Sequence, residues 1–192
     1  MRILDAATSL FERQGAHGTT IRQIADAARV NSQLIYYYFG DKAGLFRAML
    51  QRAAERVGAL LANMQRAEGT PRERLFSFVS DWVRVTLAEA STIRILHRAL
   101  LEGDENFGAE VKAYSVTHAA AISALIEEGI ESGDFRADLD PRRAVASLVG
   151  MVQYLALAEP ILIAPKSVRP SETEEMAKHT AELFVRGLIA AR

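Results

Sequence analysis

Apolar residues recur along this chain at the three- to four-residue spacing of an α-helix. In the first segment they are Ile3, Leu4, Ala7, Leu10 and Phe11, which fall on one helical face. The same period continues almost to the end of the chain, and no stretch has the strict alternation of a strand. The pattern therefore predicts an all-α protein of about nine helices.

Helix-capping residues divide the first part of this pattern into short segments. Thr20 and Gln23 form an S/T-x-x-E/Q capping box, which predicts the start of a second helix. Asn31 and Ser32 interrupt that helix after two turns and can cap a third one, which Gly40 ends. Two short helices joined by such a turn, with a supporting helix before them, predict a helix-turn-helix.

The later segments are longer. Thr70 and Asp140 each precede a proline, which is the arrangement of a capping side chain followed by proline at the first helical position. We expect a helix-turn-helix domain over residues 1–46 and a second helical domain over residues 47–192. The second domain is long enough to enclose a sizeable apolar core.

The charge of the chain is divided unevenly between its two parts. The formal net charge of −1 is unusual for a protein that binds nucleic acid. Residues 1–56, however, hold eight basic and five acidic groups, a charge of +3, so that the rest of the chain carries −4. The pattern therefore predicts a mildly basic N-terminal module joined to an acidic remainder.

The predicted third helix, about 32–38, carries side chains suited to DNA. Gln33 can bind adenine in the major groove, and a small polar residue at the helix N-terminus, such as Ser32, can reach base edges or phosphates. Tyr36, Tyr37 and Tyr38 cannot all face one core, because neighbours on a helix are about 100° apart. At least one phenol must be exposed. DNA binding is favoured, and packing of these rings in a core is the alternative.

Three stretches resemble the signature of the tetracycline-repressor (TetR) family: Thr19–Asn31, Leu34–Leu45 and, in the first helix, Ile3–Gly15. Together they cover about residues 3–47. The resemblance implies a dimeric transcriptional regulator, in the simplest case a repressor, that binds a palindromic DNA operator. It also implies that a small-molecule effector binds the C-terminal domain and moves the fourth helix, about 42–66.

The resemblance assigns DNA contacts by position. Phosphate contacts are implied for Thr20, Tyr36 and Lys42, and base contacts for Ser32, Gln33 and Tyr37. Two features depart from the family. Arg29 stands where the turn usually has glycine, and a left-handed backbone there would cost about 1 kcal/mol. Its side chain either contacts a phosphate or is a solvated charge. In addition, only Met1 and Arg2 stand where many members carry a basic tail.

The resemblance also implies dimerisation through the last two helices. Each carries a stripe of apolar residues that would suit a four-helix interface, and the alternative is that the stripes close the core of the monomer. The expected interface residues are Val145, Leu148, Val152, Leu155, Leu183, Phe184 and Leu188.

The effector pocket is expected among the middle helices, largely apolar with a few polar anchors. Each candidate has an alternative to a role in the pocket. Phe78 and Trp82 could simply pack in the core, His97 could lie on an exposed face, and His118 could be a hydrogen-bonded core histidine. The candidate residues are Phe78, Trp82, Arg94, His97, Tyr114, His118 and Tyr154.

Other classes of protein find little support in the sequence. There is no cysteine, which excludes disulfides, thiol catalysis and a thiol-based redox sensor. No apolar run approaches the roughly 18–20 residues that span a bilayer, and the N-terminus does not form a secretory signal, so we expect a cytoplasmic protein. No catalytic or metal-binding motif is present, and we expect no cofactor. A helical enzyme and a binding module that lacks DNA binding are the alternatives.

Overall fold

The computed structural model describes residues 2–101, 105–162 and 170–189. Within these residues the protein is built from nine helices and contains no strand, which confirms the predicted all-α class. The helices are α1 (Arg2–Gln14), α2 (Ile21–Ala28), α3 (Ser32–Phe39), α4 (Lys42–Arg66), α5 (Pro71–Ala88), α6 (Ala90–Leu101), α7 (Glu105–Glu131), α8 (Pro141–Leu162) and α9 (Pro170–Leu188).

The chain forms two compact units. The first unit comprises Met1–Glu55 and Ser91–Val111, and the second comprises Arg56–Ala90 and Lys112–Arg192. The boundary expected at residue 46 lies inside α4, which runs as a continuous helix from one unit into the other. The first unit also includes most of α6, which lies within the range expected for the second domain.

The core of the first unit is small and closely packed. Phe11 of α1 stacks on Phe46 of α4 with ring centroids 4.6 Å apart. Ile24 of α2 and Ile35 of α3 are fully buried in the same cluster. Ile95 of α6 joins this cluster, so a residue far along the chain completes the support of the helix-turn-helix.

The second unit is organised around α5, which packs against α8 and α9. Leu75, Val79 and Val83 of α5 are fully buried in its core. On the surface, Arg84 of α5 donates two hydrogen bonds to Glu174 of α9, with distances of 2.8 and 2.7 Å.

The two stripes predicted for dimerisation contribute mainly to this core. Five of the seven residues are buried within the protomer and leave little surface for a partner, so they fill the monomer core that was the alternative interpretation. The helical period locates a buried stripe but does not say what covers it. Leu155 is partly buried, and Leu183 is 54% exposed. The five buried residues are Val145, Leu148, Val152, Phe184 and Leu188.

Candidate nucleic-acid interface

The predicted capping box opens α2. The Thr20 hydroxyl oxygen accepts a hydrogen bond from the Gln23 backbone N–H at 3.2 Å, and the Gln23 side-chain oxygen accepts one from the Thr20 backbone N–H at 2.8 Å. The Thr20 hydroxyl also donates to that Gln23 oxygen. Thr20 is exposed at the helix N-terminus, where free N–H groups favour an anion, but its own hydroxyl is engaged in the cap.

The turn between α2 and α3 holds Arg29 in the left-handed region, with φ 55° and ψ 49°. The Arg29 N–H donates to the Asp26 carbonyl at 3.2 Å, and the Val30 N–H donates to the Ala25 carbonyl at 3.0 Å. These two bonds form a Schellman motif, which normally favours glycine at the left-handed position. The Arg29 side chain is exposed, and it forms no salt bridge with any residue that the structure describes.

The helix α3 is held to the core by Ile35 and Phe39 and is open on its other side. Its N-cap is Asn31, whose side-chain oxygen accepts from the Gln33 backbone N–H at 2.9 Å. Ile35 is fully buried. At about 100° per residue, Gln33 and Tyr37 lie opposite Ile35 and point away from the core. Ser32 lies nearer the core side and is half-buried.

All three consecutive tyrosines are exposed, which confirms the prediction that a single core cannot hold them. Tyr36 is 55% exposed, Tyr37 81% and Tyr38 66%. The rings of Tyr37 and Tyr38 meet edge to face with centroids 5.1 Å apart. Leu34, which precedes the buried Ile35 in the sequence, is also 39% exposed on this helix. In a sequence, an apolar residue beside an isoleucine indicates core packing. Only the orientation of the helix shows whether that residue is buried or exposed.

Lys42 holds the loop before α2. Its ammonium donates to the Ala16 carbonyl at 2.6 Å and to the Thr19 carbonyl at 3.3 Å. The Thr19 hydroxyl, buried in the same loop, donates to the Gly15 carbonyl at 2.7 Å. Lys42 therefore positions the N-terminus of α2 in addition to the phosphate contact that the family resemblance implies for it.

A second polar network fixes α6 within the first unit. The Arg94 guanidinium is hydrogen-bonded and ion-paired with Glu12 of α1, and it also donates to the Ser91 hydroxyl at 3.2 Å. Partial burial raises the pKa of Glu12, but the hydrogen bonds from Arg94 and Ser91 and the charge of Arg94 outweigh it, so that the pKa is lowered. These contacts give Arg94, a candidate for the effector pocket, a part in holding α6 to α1.

Of the other pocket candidates, Phe78 and Trp82 lie together, and the rest differ in burial and in the unit to which they belong. Phe78 and Trp82 are buried in the core of the second unit, with ring centroids 5.5 Å apart. His118 of α7 is partly buried, and this burial lowers its pKa. Tyr154 is 61% exposed on α8. His97 belongs to the first unit, and the side chain of Tyr114 lies outside the described part of the chain.

Neither a metal centre nor a membrane-spanning helix is found among the described residues. No group of three or more His, Asp or Glu side chains is placed to hold a metal ion there. Among the same residues, no helix is both long enough and apolar enough to cross a membrane.

Comparison with known proteins places both parts of the chain. Residues 3–49 match the family model of bacterial regulatory proteins of the tetR family, and residues 68–157 match the model of the tetracyclin repressor-like C-terminal domain. The HTH-type transcriptional repressor NicS of Pseudomonas putida (strain KT2440) is 30% identical over 143 residues, which cover 71% of this chain and 66% of that protein.

Solved structures share the fold. The TetR family regulator PfmR of Thermus thermophilus superposes with a TM-score of 0.83 at 21% identity, over 100% of both chains. The regulator FadR of Bacillus subtilis, solved in complex with stearoyl-CoA, superposes with a TM-score of 0.76 at 20% identity over 98% of both chains. The two family matches and this capped, outward-facing α2–α3 pair together show that the chain belongs to the TetR family and is a DNA-binding transcriptional regulator of the helix-turn-helix type.

Proposed function

We propose that this regulator is a ligand-responsive repressor that binds a palindromic operator as a homodimer in the cytoplasm. The observation that carries the proposal is the outward face of α3. Gln33 and Tyr37 lie opposite the buried Ile35, and the Gln33 side chain forms no hydrogen bond with any described residue. A helix is suited to the major groove when the polar side chains on one face are free to bind bases and the opposite face packs against a core.

The DNA backbone would be held on both sides of this helix. Tyr36 projects about 100° from Ile35, from where its hydroxyl can donate to a phosphate. The N-terminus of α2, capped by Thr20, offers backbone N–H groups to a second phosphate. Lys42 supports that site through the Ala16 and Thr19 carbonyls. Gln33 and Tyr37 would then read bases, with Ser32 at the edge of the groove.

Dimerisation is proposed to use the exposed side of α8 and α9. Val149 and Leu157 are each 37% exposed, Tyr154 is 61% exposed and Leu183 is 54% exposed. On α8, Tyr154 and Leu157 lie on the side away from the buried stripe, and Val149 borders that stripe. Next to them, a groove of about 410 Å³ between α8 and α9 is lined in part by Leu183 and Met151. Two copies of the module double the base contacts, which a palindromic operator requires.

The effector is proposed to be a largely apolar small molecule bound in the second unit. FadR, which shares this fold, was solved with stearoyl-CoA, and this supports a ligand-binding role for the helical domain. Because α4 is continuous between the two units, a ligand-dependent change in the second unit can be passed to the first. Such a change is a shift between two states, and it requires unequal affinity of the ligand for them.

The proposal is tested by measuring DNA affinity at fixed salt for variants of the interface. Tyr36→Phe removes one phosphate hydrogen bond and should weaken binding to every sequence by about 1 kcal/mol, or fivefold. Gln33→Ala should change the sequence preference at one position instead. Lys42→Ala should weaken binding and also lower the melting temperature, because two loop carbonyls lose their donor.

Arg72→Ala serves as the control, because Arg72 is an exposed residue on α5 of the second unit and belongs to neither the DNA-binding face nor the proposed dimer face. If Tyr36→Phe, Gln33→Ala and Lys42→Ala all bind a selected operator as tightly as the wild type does, the proposed docking is wrong. If the wild-type protein binds no duplex DNA, the proposed function as a whole is wrong.

A further inference from the structure

The helix α3 contains no charged residue. Its eight residues, Ser32–Phe39, include no Lys, Arg, Asp or Glu. Arg and Lys provide the commonest specific contact with guanine, through its O6 and N7 atoms in the major groove. The nearest cations along the chain lie outside the helix: Arg29 is in the turn before it, and Lys42 begins α4 after it. The helix that enters the groove therefore lacks the usual means of recognising a G·C pair.

The exposed side chains of α3 are one amide, one aliphatic group and three phenols. Gln33 and Tyr37 form the ridge opposite Ile35, and Leu34 and Tyr38 occupy one flank, one helical turn apart. Leu34 is 39% exposed, although Ile35 already fills the buried face of this short helix. The ring of Tyr38 packs edge to face on that of Tyr37, which joins the flank to the ridge.

The chemistry of this surface matches one kind of base pair. In the major groove, the C5-methyl of thymine is the apolar group that a base edge presents, and the N6 and N7 atoms of adenine are bound in a bidentate manner by Gln or Asn. A single exposed leucine is ordinary on a protein surface. Here it is adjacent to the unengaged Gln33 on the helix that faces the bases, so the same A·T pairs can satisfy both side chains.

We propose that α3 selects A·T base pairs at the centre of each operator half-site. In this arrangement Gln33 binds adenine, and Leu34 packs on a thymine methyl with Tyr38 beside it. Leu34 is thus a specificity-determining residue, and the operator is defined as a class by its A·T-rich half-site centres. The inference rests on the proposed function, because it requires that α3 enter the major groove.

The test begins with an operator selected by the wild-type protein from random-sequence duplex DNA at fixed salt. Each thymine of the half-site is then replaced singly by deoxyuridine, which removes only the methyl group, and affinity is measured by fluorescence anisotropy. At one position we expect the wild type to lose affinity by about fourfold, the value for one buried methyl group. Leu34→Ala should bind the two DNAs equally.

Tyr36→Phe is the matched control on the same helix. It should lower affinity for the thymine and deoxyuridine operators by the same factor, and so leave the methyl effect intact. The melting temperature of Leu34→Ala verifies that the variant is folded, since Leu34 is partly exposed and alanine is a good helix former.

The outcomes separate this inference from the function on which it rests. A·T-rich half-site centres, together with a deoxyuridine penalty that disappears in Leu34→Ala, support it. A selected operator with G·C at the half-site centres overturns it while leaving the regulator's DNA binding intact. If deoxyuridine has no effect on affinity at any position, the inference is likewise overturned and DNA binding is left intact. Failure of the wild type to bind any duplex DNA would overturn both.

Discussion

Arg29 is the described non-glycine residue with a positive φ, and the backbone there carries a cost. A left-handed conformation costs an L-residue about 1 kcal/mol, which glycine avoids and asparagine partly avoids. Arg29→Gly and Arg29→Asn should therefore raise the melting temperature by about 2–4 °C, and Arg29→Lys should leave it unchanged. Differential scanning calorimetry measures the shift. Equal or lower melting temperatures for the Gly and Asn variants would show that the turn does not store this strain.

The same variants report on the guanidinium of Arg29. If Arg29 contacts a phosphate, Gly and Asn variants should bind DNA less tightly and with a shallower dependence on salt, while Lys keeps both properties. A variant that is more stable and binds as well as the wild type would identify the side chain as a solvated charge.

Two buried threonines differ in whether their hydroxyl groups are satisfied. Thr19 donates to the Gly15 carbonyl at 2.7 Å, whereas the Thr86 hydroxyl has no hydrogen-bond partner among the described residues. Valine has nearly the same shape as threonine, so the replacement tests the hydroxyl alone. Thr19→Val should lower the free energy of unfolding by about 1–2 kcal/mol, and Thr86→Val should leave it unchanged or raise it. Urea denaturation measures both, and an equal loss would place a buried partner at Thr86.

At the scale of elements, the sequence predicted where helices begin better than how they pack. The capping box at Thr20 and the N-cap at Asn31 are local signals, and the structure contains both. Ile95 lies far along the chain from the α1–α4 core that it completes, and no local signal marks such a contact. Leu148 and Leu183 stand in equally apolar stripes, yet one is fully buried and the other is exposed, because helix orientation decides between them.

The junction of α3 and α4 depends on the absence of a side chain at Gly44. A Cβ at this position would lie 1.7 Å from the Phe39 carbonyl oxygen at the end of α3, so the two helices would have to separate. Gly44→Ala should lower the free energy of unfolding by more than about 2 kcal/mol, through overpacking against the backbone. It should also weaken operator binding, because α3 is displaced.

Gly58, in the same helix, is the control. A Cβ there would meet nothing within 4 Å, so Gly58→Ala should stabilise the helix by about 1 kcal/mol. Thermal unfolding and operator titration of the two variants side by side provide the measurement. If the two alanine variants behave alike, the close approach of α4 to α3 is not required.

At the scale of the whole molecule, the charge differs between the part that binds DNA and the rest of the chain. The net charge of −1 combines +3 on residues 1–56 with −4 on the rest, so the module that approaches DNA is the basic one. A charge of +3 provides few phosphate contacts per subunit and therefore weak binding to DNA of arbitrary sequence. Selective binding then has to come from base contacts that each of two subunits makes through α3. Selectivity therefore depends on dimerisation.

The proposed dimer interface can be separated from the core of the monomer by a pair of substitutions. Leu183→Glu places a charge on an exposed apolar surface and should give particles of 21.1 kDa, the mass of one chain, by sedimentation, with an unchanged melting profile at low concentration. Leu148→Ala removes a fully buried side chain and should lower the free energy of unfolding by about 2–5 kcal/mol without a matched loss of dimer affinity. Ser77→Glu, at an exposed position on α5, controls for added charge.

Since an operator with two half-sites needs two linked modules, Leu183→Glu should bind it no more tightly than a single half-site. A stable Leu183→Glu dimer would move the interface away from α8 and α9.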